Sequence, residues 1–210
     1  MSYNMKRILY FNGMGSGKPR RAERLAMKVA ERYLLRHDIT FRHLPVNWYA
    51  MESFPALLER NVKLVEDELA EYGNVTLCGV SAGGSLAVNV LSKLHDRNLQ
   101  VLVLCGPLNV AKLAWWDKRT LEGIAFRDPK RPSQIFFDSV TYCSNTGIPA
   151  LTEHDKRRII TIQQWADTAV PRSTMGIPNV RIFEVPGVGH TLGIGIGVLY
   201  LPKVLAKLLV

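Results

Sequence analysis

A serine flanked by glycines lies between a strand-like and a helix-like run, and this arrangement constrains the fold more than any other feature. The segment Cys78–Gly84 reads Cys-Gly-Val-Ser-Ala-Gly-Gly. The residues before it are β-rich and apolar, as in a buried parallel strand, and those after it carry apolar residues at helical spacing. Gly79 and Gly83 would let strand and helix cross closely, and the tight turn would project the Ser81 hydroxyl above the sheet edge. The sequence therefore predicts a nucleophilic serine at a strand-to-helix turn.

Strand-like and helix-like segments alternate along the chain. Strands are predicted at 6–12, 39–44, 75–78, 99–105, 159–163 and 180–185. Helices are predicted at 19–36, at 54–72, from residue 82 onward, and at 202–209, where Pro202 would begin a short closing helix. This alternation predicts a three-layer αβα sandwich, with a mostly parallel sheet of about six strands and right-handed crossovers. We expect a single domain, 1–210, in which the long segment 107–150 is an insertion.

Composition is that of one enzyme-sized domain. With 210 residues, 47% of them hydrophobic, the chain is long enough for one substantial core and short for two. Its three cysteines are widely spaced and odd in number, so we expect buried thiols and a cytoplasmic, reducing compartment. The N-terminal residues enter a strand without a signal-peptide pattern. No apolar stretch approaches the roughly 20 residues of a bilayer span, so no transmembrane segment is expected.

The formal net charge of +9 raises the question of a polyanionic partner. Basic residues recur every four positions along the first predicted helix, at Arg20, Arg24, Lys28, Arg32 and Arg36. The apolar residues predicted to lie opposite them are Ala22, Leu25, Ala26, Val29 and Tyr33. The basic row could bind nucleic acid or anionic lipid. We favour the solvated face of an amphipathic helix, because no nucleic-acid-binding motif accompanies it, and we expect no nucleic-acid partner.

Two residues that follow later predicted strands could activate the Ser81 hydroxyl. Asp167 follows the fifth predicted strand and His190 the sixth, and functional groups of a parallel sheet gather at the carboxyl ends of its strands. A histidine can take the serine proton while an aspartate fixes its tautomer. Taken singly, the aspartate could be a turn or cap and the histidine a loop residue. The order Ser, Asp, His favours the triad Ser81, Asp167 and His190.

A glycine-rich loop follows the first predicted strand and reads Asn-Gly-Met-Gly-Ser-Gly-Lys-Pro from residue 12 to 19. It does not fit a phosphate-binding loop, because asparagine stands where the first glycine belongs and proline where serine or threonine belongs. It fits half of an oxyanion hole, in which the N–H groups of Met14 and Ala82 would bind the carbonyl oxygen and Gly13 would contact the substrate. A glycine-rich turn without a ligand is the alternative.

From about Lys6 to the C-terminus the chain resembles a small α/β-hydrolase. Asn12–Gly15 resembles the His-Gly oxyanion loop of that family, with asparagine where histidine is commoner, and Gly79–Gly83 matches its nucleophile turn. Ile160–Pro171 resembles the strand end that carries the acid, and Gly187–His190 resembles the histidine loop. The resemblance implies the fold of that family without its first two, antiparallel strands.

The resemblance also implies a function. The segment 107–150 would be the lid, and its Trp115 and Trp116 could line an apolar acyl pocket or form the core of a small helical cap. We expect a serine esterase that acts on a small-molecule ester-like substrate through an acyl-enzyme. No cofactor or metal is expected, because the histidines and cysteines lack ligand spacing. Thioester or amide cleavage, acyl transfer, and a binding protein or receptor with little turnover remain alternatives, and the oligomeric state stays open.

Overall fold

The core of the molecule is a single sheet of six parallel strands. The structure is a computed structural model, and it describes residues 6–18, 21–96, 98–109 and 134–208. The strands are β1 Lys6–Phe11, β2 Ile39–Leu44, β3 Val75–Val80, β4 Leu99–Leu104, β5 Ile159–Ala166 and β6 Arg181–Val188. Their order across the sheet is β2-β1-β3-β4-β5-β6, and every adjacent pair is parallel. Because all carboxyl ends lie at one edge, the loops that follow the strands are neighbours.

Helices cover both faces of this sheet. They are α1 Arg21–Leu35, α2 Phe54–Tyr72, α3 Gly83–Leu94, α4 Gln134–Tyr142, α5 Ile148–Ala150, α6 Glu153–Arg157, α7 Arg172–Met175 and α8 His190–Leu208. A π-helical turn, Cys143–Gly147, joins α4 to α5. Side chains of α2, α3 and α4 pack in one core cluster, and those of α1 and α8 in the other. The predicted three-layer sandwich is confirmed.

The last helix corrects the prediction of a short closing helix begun by proline. Helix α8 begins at His190 and continues through Pro202, which lies inside it. An internal proline costs a helix about 3 kcal/mol, because it removes one hydrogen bond and crowds the preceding turn. Leu201 and Val204 are buried on the two sides of Pro202 and pack in the cluster with β5 and β6. Burial of these side chains against the sheet keeps the helix continuous.

The buried side of α1 also differs from the prediction. Leu25 and Val29, expected in the core, are 66% and 61% exposed. The helix buries Leu34 instead, and Met27 and Ala30 are partly buried on the same side. Residues 27, 30 and 34 also lie at helical spacing, so the helix has two apolar stripes. The stripe with Leu34 packs against the sheet, and the stripe with Leu25 and Val29 faces outward. Tyr33 is partly buried as predicted; the side chains of Ala22 and Ala26 lie outside the described residues.

The described end of the predicted insertion packs on the sheet domain. Ser139 of α4 shares a hydrogen bond with Ser85 of α3 at 2.8 Å, and its carbonyl accepts from Asn89 Nδ2 at 2.9 Å. The rings of Phe136 and Trp48 meet edge to face at 6.1 Å. The three cysteines are buried free thiols, as predicted. Within the described residues, no helix combines the length and hydropathy needed to cross a membrane.

Candidate active site

Ser81 lies on a strained turn between β3 and α3. Its φ is 49°, in the left-handed region that serine seldom adopts. Two backbone hydrogen bonds hold it there: Ser81 N–H donates to Leu104 O, and Ser81 O accepts from Gly84 N–H, both at 2.9 Å. Strain of this kind persists only where the surrounding structure fixes it, and it is concentrated at functional sites.

Glycines make this turn possible because backbone segments cross without room for side chains. A Cβ on Gly79 would lie 2.7 Å from the Gly84 Cα, and a Cβ on Gly83 would lie 2.5 Å from the Phe11 carbonyl oxygen. Both distances are shorter than real Cβ contacts. The sequence-based interpretation of Gly79 and Gly83 is thus confirmed: they let β3, α3 and the end of β1 approach closely.

Asp167 and His190 form a hydrogen-bonded pair at the same edge of the sheet. Asp167 follows β5 and His190 begins α8, just after β6. His190 Nδ1 lies 2.8 Å from Asp167 Oδ2, which makes Nδ1 the donor to the carboxylate. The aspartate side chain is fully buried, and the imidazole is 18% exposed. The other ring nitrogen is therefore left as the proton acceptor.

Backbone donors hold the remaining oxygen of Asp167. Ala169 N–H and Val170 N–H donate to Oδ1 at 2.7 and 2.8 Å. Burial alone would raise the pKa of Asp167, but the hydrogen bonds from His190, Val170 and Ala169 outweigh burial and hold this pKa below its usual range. The carboxylate is consequently ionised at neutral pH, as required of a group that orients an imidazole.

Cys105, which follows β4, is a neighbour of Asp167 that sequence analysis did not connect with the site. It is fully buried, with a left-handed φ of 51°, and its N–H donates to Ile162 O at 3.0 Å. Burial and the nearby Asp167 carboxylate raise the pKa of Cys105 to about 12. The thiol is therefore protonated and presents an S–H group beside the acid. Its place after β4, between the Ser81 and Asp167 strands, was the available signal.

The loop after β1 lies against the serine. A Cβ on Gly13 would be 3.2 Å from Ser81 Cβ and 3.9 Å from Ser81 Oγ. The Asn12 side chain holds this loop, because its Nδ2 donates to Gly13 O at 2.8 Å and to Val46 O at 3.0 Å. Its Oδ1 accepts from Val46 N–H at 2.7 Å, which fixes the orientation of the amide. Met14 is partly buried against the core, and Ala82 is buried.

The predicted site residues are thus brought together only in part. The strand order places the residues after β3, β4, β5 and β6 side by side along one edge. Asp167 and His190 are bonded, and Gly13 adjoins Ser81. Among the described residues, no hydrogen bond joins the Ser81 hydroxyl to His190. Trp115 and Trp116 lie outside the described residues.

The architecture is shared with solved enzymes of low sequence identity. A metagenome-derived lipolytic enzyme, from work on LipS and LipT, matches at a TM-score of 0.63 and 14% identity, over 97% of this chain and 92% of that one. A bromoperoxidase from Bacillus anthracis matches at a TM-score of 0.59 and 15% sequence identity, over 97% of this chain and 91% of that one. A hormone-sensitive lipase from a metagenome library matches at a TM-score of 0.58 and 14% sequence identity, over 97% of this chain and 78% of that one.

Sequence comparison alone gives no assignment. No family model matches this chain, and no curated protein matches it. Matches at 14–15% identity establish the fold. The solved structures to which this chain is similar are α/β-hydrolase enzymes, and their overall agreement with the six-stranded parallel sheet and its flanking helices covers nearly the whole chain. The protein has the α/β-hydrolase fold.

Proposed function

We propose that the protein is a serine hydrolase that cleaves carboxylic esters through an acyl-enzyme, with Ser81, His190 and Asp167 as its triad. The observation that carries the proposal is the Asp167–His190 hydrogen bond of 2.8 Å at the sheet edge where Ser81 lies on its strained turn. Lipases and esterases with this fold supply the analogy for the reaction class.

The first chemical step makes the acyl-enzyme. Ser81 Oγ attacks the ester carbonyl while His190 Nε2 takes the hydroxyl proton, and the imidazolium is stabilised by the ionised Asp167. Collapse of the tetrahedral intermediate breaks the bond to the alcohol, which receives that proton from His190. Water then attacks the acyl-enzyme with the same histidine as base, and the acid is released with Ser81 regenerated.

Backbone N–H groups of Met14 and Ala82 would bind the oxyanion of both intermediates. A trans peptide directs its C=O and N–H in opposite directions. Because Asn12 Nδ2 holds Gly13 O at 2.8 Å, the N–H of Met14 in the same peptide points away from Asn12. Gly13 itself adjoins Ser81. In this scheme Asn12 positions the oxyanion donor, which is why an asparagine can stand where the family commonly has histidine.

The function can be tested by covalent labelling combined with turnover. A fluorophosphonate should add one label to the wild-type protein and none to Ser81→Ala, because only a serine activated by histidine attacks phosphorus quickly. Ser16→Ala is the matched control, since Ser16 is exposed on the neighbouring loop, and it should label like wild type. Esters, thioesters and amides of graded acyl length should then identify the preferred substrate. Labelling without turnover of any of them would favour a binding protein.

Substituting Asn12 tests the oxyanion hole separately. Asn12→Asp can still accept from Val46 N–H but cannot donate to Gly13 O, so the peptide that carries Met14 N–H is released. We expect kcat to fall by about tenfold to a hundredfold with little change in KM, somewhat less than the loss of a whole oxyanion donor. Asn47→Ala is the control, because Asn47 is exposed and only caps Tyr49 N–H in the adjacent loop. Full kcat in Asn12→Asp would rule out Asn12 as the residue that positions the oxyanion donor.

A further inference from the structure

Helix α1 presents an exposed face in which basic and aliphatic side chains alternate. Its exposed basic residues, with the residue just after its end, are Arg21, Arg24, Lys28, Arg32 and Arg36. Leu25, Val29 and Leu35 lie among them and are 66%, 61% and 57% exposed. We call these eight residues the α1 face. None of its five cations forms an ion pair within the described part of the chain.

Helix α8 extends this face on one side. Tyr33 Oη of α1 donates to Leu199 O of α8 at 2.9 Å, so the two helices are joined there. Leu199 is 58% exposed, and Lys203, one turn further along α8, is exposed as well. Four of the eight large hydrophobic side chains that the described residues expose therefore lie on α1 and the adjoining turn of α8.

This surface combines exposed cations with exposed aliphatic side chains, and that combination indicates the kind of partner it binds. We propose that the α1 face, together with Leu199 and Lys203, docks the protein onto an anionic lipid surface. Aliphatic side chains can enter the boundary between headgroups and acyl chains while the cations around them meet the lipid phosphates and carboxylates. The proposal does not depend on the hydrolase function, because no residue of the α1 face belongs to the proposed triad or oxyanion hole.

Two other occupants explain the observations less well. A nucleic acid would neutralise the cations, but it would leave three aliphatic side chains without a favourable environment. A second copy of this chain would cover the aliphatic groups, but it would bring two rows of unpaired cations together. The anionic lipid surface is the occupant that satisfies both kinds of side chain.

The orientation on a membrane follows from the connection between α1 and β1. Helix α1 begins shortly after the loop at the carboxyl end of β1, the loop that carries Gly13 and Met14. Its first turn is consequently near the edge of the sheet that holds Ser81, Asp167 and His190. A protein docked through α1 would hold this edge close to the lipid headgroups.

Co-sedimentation with vesicles tests the proposal. Wild type should bind vesicles of phosphatidylcholine mixed with phosphatidylserine, not vesicles of phosphatidylcholine alone, and salt should weaken the binding. Each neutralised cation should cost about fivefold in affinity, so Lys28→Gln/Arg32→Gln should bind on the order of twentyfold more weakly. Leu25→Ser/Val29→Ser should also bind more weakly, with its salt dependence kept.

The controls separate this surface from net charge and from folding. Lys93→Gln/Arg157→Gln removes two exposed cations elsewhere and should bind vesicles like wild type. All variants should keep the wild-type melting temperature and react with a fluorophosphonate as wild type does, whatever that reaction is. Equal loss in the control pair would overturn the proposal. The proposal would also be overturned if the protein bound DNA, if Leu25→Ser/Val29→Ser left that binding unchanged, and if vesicles did not compete with the DNA. Self-association through α1 without vesicle binding would overturn it as well.

Discussion

Replacing Ser81 or His190 by alanine is expected to lower kcat for the preferred ester by a factor on the order of 10⁴–10⁶. Ser81→Ala removes the nucleophile, and His190→Ala leaves the serine hydroxyl without a base. Because the two residues act in one step, the double variant should be barely slower than either single variant. Initial rates on purified protein, with KM determined for each variant, measure the effect.

Matched substitutions show whether these losses are specific. Ser85→Ala removes a buried serine of α3 that is bonded to Ala82 O and Ser139, and it should lower stability while leaving kcat within a few fold. His154→Ala removes an exposed histidine at the amino end of β5 and should change neither. Near-full turnover in Ser81→Ala would mean that another group is the nucleophile, and the proposed function would then be wrong.

Sequence patterns predicted the framework of the fold well because burial in a parallel sheet leaves a strong local signal. Strand β2 and helix α2 begin and end where the sequence placed them. Strand β4 was recognised by its strongly apolar sequence, in which Gln100 is the one polar residue, as expected of a strand buried on both faces. The carboxyl end of β5 was placed too early, at residue 163 instead of Ala166, because the strand continues through Gln164, which is buried despite being polar.

The errors arose where two helical faces or two helix starts compete. The α1 sequence carries two apolar stripes, and only tertiary packing shows that Leu34 meets the core while Leu25 does not. Pro202 is a common signal for a helix start, yet the glycine-rich apolar segment before it is helical because it packs on β5 and β6. Local propensity could not decide either case.

The candidate site shows the same division. Strand ends indicated Ser81, Asp167 and His190, because parallel topology places such ends at one edge. The position of Cys105 after β4 pointed to the same edge, but no local pattern showed which residues from different strands would touch there. The Cys105 thiol lies beside Asp167 because β4 and β5 are neighbours. Asn12 forms hydrogen bonds with Val46, which is far along the chain, because β1 and β2 are neighbours.

The second large effect is expected from Asp167→Asn, which should lower kcat by a factor on the order of 10³–10⁴. Asparagine Oδ1 can still accept from Ala169 and Val170 N–H, so the loop should keep its shape. Its amide would face His190 Nδ1 as a donor and thereby stabilise the tautomer in which Nε2 carries the proton. That tautomer cannot take the Ser81 proton, and the rate falls without loss of the fold.

A second His–Asp pair in the molecule supplies the control for this prediction. Asp155 Oδ2 lies 2.9 Å from His95 Nδ1, at the amino end of β5 and thus at the opposite edge of the sheet from Asp167. Asp155 also pairs with Arg158. Asp155→Asn should therefore lower the melting temperature and leave kcat within a few fold. Asp167→Asn should instead lower kcat by a large factor, whatever its effect on the melting temperature, and similar kcat in the two variants would contradict the assignment of the acid.

The acid dependence of stability distinguishes the ionised role of Asp167 from a packing role. The pKa of Asp167 is lowered in the folded protein, whereas the pKa of an aspartate in an unfolded chain is about 3.9. The unfolded state consequently binds a proton first, so the stability contributed by Asp167 is complete above that value and declines as pH falls toward the lowered folded pKa. The free energy of unfolding should thus lose less in Asp167→Asn than in wild type below about pH 4. The free energy of unfolding can be measured by denaturant titration at a series of acidic pH values. An equal loss in wild type and Asp167→Asn would show that Asp167 is not held ionised by His190 and the backbone donors.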